Sequence, residues 1–297
     1  MKLTILGSGS PEAYARRASS GYLVEVGDDL ILFDCGGGVF DNLLKSGRLP
    51  SDITHIVFSH LHSDHMMDYA RLVHAAWDEG GAPVRVFGPS PVKAVTEGYF
   101  GPDGVLAHDL RARTGLPQSQ EVWVARGGTL PRPWPAPIVQ EIKAGQDIEG
   151  GNWKIQSCHA PHAQPFLDGM AFALVSAGRK FVYSGDAGLC PEIAELTADA
   201  DLLLHWCYRP EGEMVSPSMA AKTPTPSEIG RMAKQAGVRS LILTHFRKHM
   251  DKPECHERSV QHASTAFGQP VTVAEDLQEI QIQAFHEPSD PASDQGI

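Results

Sequence analysis

Four side chains that can bind a metal ion lie within six consecutive residues of this chain. His60, His62, Asp64 and His65 form the pattern His-x-His-x-Asp-His. Neutral imidazole and carboxylate ligands together suit zinc, iron or manganese better than calcium or magnesium. Because burying four such groups without a cation would be costly, we expect a transition-metal site here.

The segments on either side of this pattern indicate how it is held. An apolar run over residues 53–58 predicts a strand, and the apolar spacing over residues 66–79 predicts a helix. The pattern therefore lies in a strand-to-helix loop, where side chains can converge without regular periodicity.

The pattern resembles the signature of the metallo-β-lactamase superfamily, in which it follows a buried strand. Further landmarks occur in the same order and context, so the resemblance covers nearly the whole chain; they are Asp34, His162, Asp186 and His245. The resemblance implies an α/β fold, the αββα sandwich of two mixed β-sheets flanked by helices, with the metals at one edge.

The resemblance also implies a ligand set for two divalent metal ions, most simply zinc, with manganese or iron as alternatives. One ion would take His60, His62 and a later histidine, the other would take Asp64, His65 and His245, and Asp186 would bridge them. The later histidine is His162 or His159, and the distance to the strand that begins near residue 170 favours His162. His159 would then be a pocket residue, and Asp34 would orient the ligating histidines from behind.

Such a pair of ions can generate hydroxide from a shared water near neutral pH. We expect this bridging hydroxide to attack an electrophilic phosphorus, sulfur or carbon, with Asp64 as a ligand that also relays the proton. The chain contains no Gly-x-Ser-x-Gly element that would indicate a covalent serine nucleophile.

The motifs are most similar to the tRNase Z branch, which includes phosphodiesterases and arylsulfatase-like members. The tRNA-processing enzymes of that branch carry a His-Glu pair after one strand and a later Gly-His-Ser-Thr element, but this chain has His205-Trp206 and then residues 218–223 of different sequence. The net charge of −11 also disfavours a polyanionic partner. These observations predict a small phosphodiester or aryl (sulfate) ester as substrate and argue against tRNA. His205 and Tyr208 would line the substrate pocket.

Two alternatives remain open. A lactonase or carboxylic ester hydrolase of the same superfamily usually has a tyrosine soon after the bridging aspartate; this chain has Ala187 to Cys190 there, although Tyr208 could reach in from elsewhere. A non-catalytic metal-binding scaffold is the second alternative, and the presence of all seven ligand candidates counts against it.

The rest of the chain is typical of a globular protein. Two strand-rich halves with helices between them predict two packed sheets covered by helices, in one domain over residues 1–286 with a disordered tail over 287–297. A proline-dense insertion over residues 100–137 predicts a covering loop or arm, in which Trp134 could line a pocket or an interface. We expect helices over residues 39–46, 66–79, 91–99, 105–113, 191–197, 225–236 and 253–267.

Length and cysteine content indicate where the protein is located, and the resemblance indicates how it assembles. The 297 residues include no apolar run long enough to cross a membrane, and their five scattered cysteines lack any Cys-x-x-Cys pair. Reduced thiols of this kind indicate a cytoplasmic protein. We also expect a homodimer, because relatives in the superfamily often form one.

Overall fold

A computed structural model of the protein describes residues 1–283. Short apolar runs bounded by glycine, proline and aspartate form its fourteen strands. In chain order, β1 to β14 are Lys2–Gly7, Gly21–Val26, Asp29–Phe33, His55–Val57, Arg85–Gly88, Ile138–Glu141, Ile148–Glu149, Lys154–His159, Met170–Ser176, Arg179–Tyr183, Leu202–Trp206, Leu241–Thr244, Thr272–Val273 and Glu279–Gln281.

These strands form two seven-stranded sheets with the same pattern of pairing. The first has the order β14-β1-β2-β3-β4-β5-β6, and the second has the order β7-β8-β9-β10-β11-β12-β13. In each sheet the first three pairings are antiparallel and the last three are parallel. The prediction of two mixed sheets is therefore confirmed.

Helices cover the outer face of each sheet. In chain order, α1 to α10 are Val39–Lys45, Ser63–Met66, Tyr69–Asp78, Val92–Phe100, Ala107–Gly115, Pro117–Ala125, Pro191–Thr197, Pro217–Ala220, Pro226–Gln235 and Pro253–Phe267, with a 3₁₀ turn at Pro50–Asp52. Helices α1, α3, α4 and α5 contribute to a hydrophobic cluster on the first sheet, and α7, α9 and α10 contribute to one on the second. The four layers form the expected αββα sandwich.

The alternation of side chains along each strand builds the layers. On β10, Phe181 and Tyr183 point into the space between the sheets, whereas Val182 points toward the helices. The Phe181 ring meets Phe33 of the opposite sheet edge-on, with centroids 5.9 Å apart. Burying a side chain of this size contributes about 1.5–3 kcal/mol, so the inter-sheet layer supplies much of the rigidity behind the site.

The insertion over residues 100–137 differs in part from the prediction of a loop or arm. It contains two helices, α5 and α6, although only one was expected. Trp134 donates a 2.5 Å hydrogen bond to the carbonyl of Phe100 and borders a cavity of about 470 Å³ lined mainly by α4 and residues 134–137. The metal-ligand candidates lie elsewhere.

Two further expectations concern the C-terminal residues and membrane-spanning segments. The tail predicted for residues 287–297 lies outside residues 1–283, as does the end of the predicted domain. Within residues 1–283, no helix combines the length and the apolar character that crossing a bilayer requires.

Candidate metal centre

The candidate site lies where parallel strands of both sheets end. Since the carboxyl ends of parallel strands meet at one edge of a sheet, residues that follow β3, β4, β10 and β12 approach one another across the sandwich. The structure brings together all seven ligand candidates there: His60, His62, Asp64, His65, His162, Asp186 and His245.

The first group consists of three imidazoles. His60 Nε2 lies 2.9 Å from His62 Nδ1, and His162 Nε2 lies 3.2 Å from the same atom. His162 comes from the loop between β8 and β9, and burial lowers its pKa to about 4, which keeps the ring neutral near neutral pH. Three nitrogen atoms thus converge from two loops.

The second group consists of Asp64, His65 and His245. Asp64 Oδ2 lies 3.1 Å from His245 Nε2 and 3.6 Å from His65 Nε2. Asp186 Oδ2 reaches both groups, at 3.2 Å from His245 Nε2 and 3.8 Å from His162 Nε2. A single carboxylate is therefore shared between the two sets of nitrogen atoms.

These donor atoms fit divalent cations. Zinc–nitrogen bonds of about 2.0–2.1 Å place tetrahedral ligand atoms about 3.3 Å apart, close to the observed spacings. In addition, His65 Nε2 and Asp186 Oδ1 are buried without a hydrogen-bond partner in residues 1–283. Orphaned buried polar atoms are costly, and a cation between them would remove that cost. The fold and these His/Asp groups indicate binding of divalent metal.

Asp34 orients two of the histidines from behind the site. Its Oδ1 accepts a 2.7 Å hydrogen bond from the backbone N–H of Ser59. Its Oδ2 accepts from Ser59 Oγ at 2.7 Å, from the Tyr183 hydroxyl at 2.7 Å and from His65 Nδ1 at 2.8 Å. Because His65 donates through Nδ1, the lone pair of Nε2 faces the ligand group.

Ser59 extends this arrangement to His60. The Ser59 hydroxyl donates to Asp34, so its oxygen can accept from His60 Nδ1, which lies 3.0 Å away. The tautomer of His60 is thereby fixed, with Nε2 free to bind a cation. Neither Ser59 nor Tyr183 was singled out from the sequence, although Ser59 directly precedes the metal-binding pattern.

The protonation states of the carboxylates and imidazoles in the site depend strongly on one another. Burial alone would raise the pKa of Asp186, but His245 and His65 hold it well below the ordinary value. Burial alone would lower the pKa of His65, whereas Asp186 and Asp34 raise it well above the ordinary value. The carboxylate is thus ionised, and at His65 Nε2 a proton and a metal ion compete for the same lone pair.

Unusual backbone conformations turn several of these residues inward. Asp34 and His245 each follow a strand with positive φ, at 58° and 63°, and Gly185 has φ 55°. A Cβ at Gly185 would lie 2.7 Å from the carbonyl oxygen of Met170. At the two non-glycine positions such a backbone costs about 1–3 kcal/mol per residue and persists where the surrounding structure requires it.

A pocket of about 290 Å³ opens onto the candidate ligands. It is lined by Pro11, His62, Asp64, His162, Asp186, Trp206, Tyr208, Met219, Lys222, Thr223 and His245. The Trp206 ring is buried and meets His162 and His245 edge-on, at centroid distances of 5.2 and 5.7 Å. Tyr208 stacks beside it, 5.7 Å away.

His159 and His205, which the sequence predicts as pocket residues, do not line this pocket. His159 is exposed at the end of β8. His205 is fully buried and its Nδ1 donates to the carbonyl oxygen of Trp206 at 2.8 Å. Conversely, Met219, Lys222 and Thr223 line the pocket although the sequence had not indicated a role for them. Met219 belongs to α8, Lys222 and Thr223 follow that helix, and none of the three belongs to a motif with recognisable spacing.

Comparison with known proteins defines the class. The family model described as "Beta-lactamase superfamily domain" matches residues 30–246. This chain therefore belongs to the beta-lactamase superfamily, and together with the His/Asp groups this membership indicates a metal-dependent hydrolase.

Individual relatives agree with that membership. The "Ribonuclease Z" of Methanosarcina acetivorans is 27% identical over 95% of this chain and 98% of its own length, and that of Mycobacterium bovis gives the same values. Among solved structures, YhfI from Bacillus subtilis has a TM-score of 0.71 at 22% identity, covering 94% of this chain and 99% of its own. The short form of human tRNase Z has a TM-score of 0.67 at 20% identity, covering 95% and 100%. The resemblance to the tRNase Z branch is confirmed.

These relatives overturn one part of the sequence analysis. The prediction of a small-molecule ester as substrate, with tRNA as an unlikely partner, is wrong, because proteins named Ribonuclease Z and tRNase Z match nearly the whole chain. Net charge is summed over the entire surface and therefore does not exclude contact with RNA at one face.

Proposed function

We propose that this protein is a metal-dependent phosphodiesterase that hydrolyses RNA, with precursor tRNA as its first candidate substrate. The observation that carries the proposal is the convergence of seven His and Asp side chains on one pocket, with Asp186 shared by both groups. The names of the relatives support RNA as the polymer and favour a phosphodiester over a sulfate ester or a lactone.

We assign two divalent ions to the site. His60, His62 and His162 would hold one, Asp64, His65 and His245 would hold the other, and Asp186 would contact both. Zinc suits this donor set, with manganese or iron as alternatives. Such ions lower the pKa of water and neutralise charge that develops on the phosphate.

We assign Asp64 the role of proton acceptor. It lines the pocket, and its Oδ2 lies 3.1 Å from His245 Nε2. Attack of water on phosphorus forms one P–O bond, breaks the bond to the leaving oxygen and releases a proton, which Asp64 can accept and pass to the leaving oxygen. Asp34 supports the reaction by fixing the orientation of His65.

Hydrolysis of a precursor tRNA transcript and of bis-p-nitrophenyl phosphate by the zinc-loaded protein tests the proposal. We expect wild-type protein to cleave both, and Asp64→Asn and Asp186→Asn each to lower kcat by about 10²–10⁴-fold. Asp109→Asn is the matched control, because Asp109 is an exposed carboxylate on α5 that pairs with Arg113. A wild-type protein that cleaves neither diester but hydrolyses p-nitrophenyl sulfate or a homoserine lactone would contradict the proposal.

A further inference from the structure

In the described part of the chain, Lys222 is the one lysine or arginine that lines the pocket of the metal centre. The side chain is half-buried, and no carboxylate in residues 1–283 forms an ion pair with its ammonium group. Arg247, whose guanidinium lies over the ring of the pocket residue Tyr208, already pairs with Glu213 at 2.9 Å. The charge of Lys222 is therefore available to a ligand.

The backbone that carries Lys222 is held by a buried clamp. Arg209 is 8% exposed and donates from Nε to the carbonyl oxygen of Thr223 at 2.8 Å. Its Nη1 donates to the carbonyl oxygen of Glu213 at 3.3 Å, so one guanidinium joins two parts of the loop. Thr223 Oγ1 in turn donates to the carbonyl of Met219 at 2.7 Å. The backbone at Lys222 is thus held by one buried and two partly buried hydrogen bonds.

This backbone also packs directly against the loop that carries Asp186. A Cβ at Gly188 would lie 2.6 Å from the carbonyl oxygen of Ala221 and 2.9 Å from the Cα of Lys222. Gly188 itself donates to the carbonyl of Pro161 at 2.9 Å. A side chain at position 188 would therefore push the Lys222 segment away from the pocket, and glycine allows the close approach.

We propose that the Lys222 ammonium binds a non-bridging oxygen of the scissile phosphodiester and selects anionic esters over neutral ones. This inference rests on the proposed function, since it names a substrate contact for that reaction. Two divalent ions would more than offset the negative charge of Asp64 and Asp186. A bound phosphodiester would then add one negative charge at the pocket wall, where Lys222 lies. Lysine is suited to such a contact because its ammonium is a compact point charge on a flexible stem.

The selectivity of variants tests the contact. We expect Lys222→Met to lower kcat/KM for bis-p-nitrophenyl phosphate by about 10–100-fold, the loss typical of a hydrogen bond to a charged group. Hydrolysis of neutral p-nitrophenyl acetate should change by less than about twofold, and Lys222→Arg should retain most activity on the diester, since it keeps the charge. Lys143→Met, at an exposed lysine outside the pocket, is the matched control. Equal losses on both substrates, or no loss on the diester, would overturn the inference.

Binding of inorganic phosphate gives a readout that is independent of turnover. Calorimetric titration of zinc-loaded protein should give a Kd for phosphate that is about tenfold weaker or more in Lys222→Met, at unchanged metal content. An unchanged Kd would overturn the assignment of Lys222. If wild-type protein binds phosphate through Lys222 but cleaves no phosphodiester, the proposed function fails while the anion contact stands.

Discussion

At the scale of single residues, Asp34 has an unusually large structural role for a side chain outside the ligand groups. Its buried carboxylate accepts four hydrogen bonds, two of them from Ser59 and the others from Tyr183 and His65. All four partners are donors, so a carboxylate, which only accepts, is the side chain that satisfies them together. Asp34 thereby determines which nitrogen of His65 faces the candidate metal centre.

Asp34→Asn should therefore weaken metal binding more than it weakens the fold. An asparagine side chain places an NH₂ group among donors, so at least one hydrogen bond is lost and His65 is free to turn. We expect metal affinity to fall by about 10–100-fold, measured as zinc retained against a chelator. Asp41→Asn is the control, because Asp41 is exposed and pairs only with Arg71 in residues 1–283. Retention of zinc equal to that of wild type would contradict this role.

The residues of the site differ in how well the sequence predicts them. Motif and context predicted the seven ligand candidates, and the structure brings them together, although Asp64 and His65 lie in helix α2 and not in the expected loop. Lys222 has no such signal, because it is brought to the pocket by the clamp of Arg209 and the close approach at Gly188. His205 shows the reverse case: alternation along β11 places it with Leu203 on the helix-facing side.

At the scale of elements, the site depends on how the strands end. After β10, the backbone turns sharply through Gly185 so that Asp186 points between the two ligand groups. Gly185 approaches Met170 of β9 and Ser59 of the loop after β4, so both sheets meet at this glycine. The position therefore requires both a left-handed backbone and the absence of a side chain.

Gly185→Ala should reduce activity through displacement of Asp186. The new Cβ would lie 2.7 Å from the carbonyl of Met170, in addition to the strain of φ 55°. Gly178→Ala is the matched control: Gly178 has φ 71° with no atom within 4 Å of the new Cβ, so it carries backbone strain without the clash. We expect kcat on bis-p-nitrophenyl phosphate to fall at least tenfold more for the first variant, a difference of about 1.4 kcal/mol. Equal activities of the two variants would contradict this explanation.

The sequence predicted some helices accurately and others not. Helices α7 and α10 have the expected bounds, because proline marks their first turn and the apolar face marks their length. The helix expected over residues 66–79 is divided at Asp68, whose carboxylate accepts from the backbone of Gly38 and Phe40. Helix α6 buries none of its residues, so its sequence has no hydrophobic periodicity from which the helix could be predicted.

At the scale of the whole molecule, Arg17 joins the N-terminal segment at Ser8 to the C-terminal segment at Asp251, beside the site. Its buried guanidinium donates two hydrogen bonds to Asp251, at 2.6 and 2.8 Å, and one to Ser8 at 2.7 Å. Ser8 in turn accepts from the backbone N–H of Phe246, the residue after His245. This cluster therefore supports the position of one ligand candidate from outside the pocket.

Arg17→Met should lower thermal stability substantially, because removing one partner of a buried pair costs about 3–5 kcal/mol. Arg16→Met is the control, since Arg16 is half-exposed and its ion pairs are worth about 0–1 kcal/mol. Burial alone would raise the pKa of Asp251, but Arg17 lowers it below the ordinary value. Its stabilisation is thus complete above about pH 4 and is lost as the pH falls through the lowered pKa. The difference in Tm between wild type and Arg17→Met should narrow below about pH 4; a difference that grows in acid would contradict the assignment.

The whole-molecule charge explains why the partner was mispredicted. An excess of 36 acidic over 25 basic residues describes the average surface, whereas substrate contact depends on a few groups at one pocket. Lys222 together with bound divalent cations would make that pocket locally positive. The homodimer expected from the sequence stays a prediction.

The central claim is that seven side chains from distant strand ends hold two divalent cations in one pocket. Anomalous diffraction from crystals of the zinc-loaded protein tests it directly. We expect two peaks about 3.5–4 Å apart, one among His60, His62 and His162 and the other among Asp64, His65 and His245. The absence of peaks from this pocket in zinc-loaded crystals would contradict it.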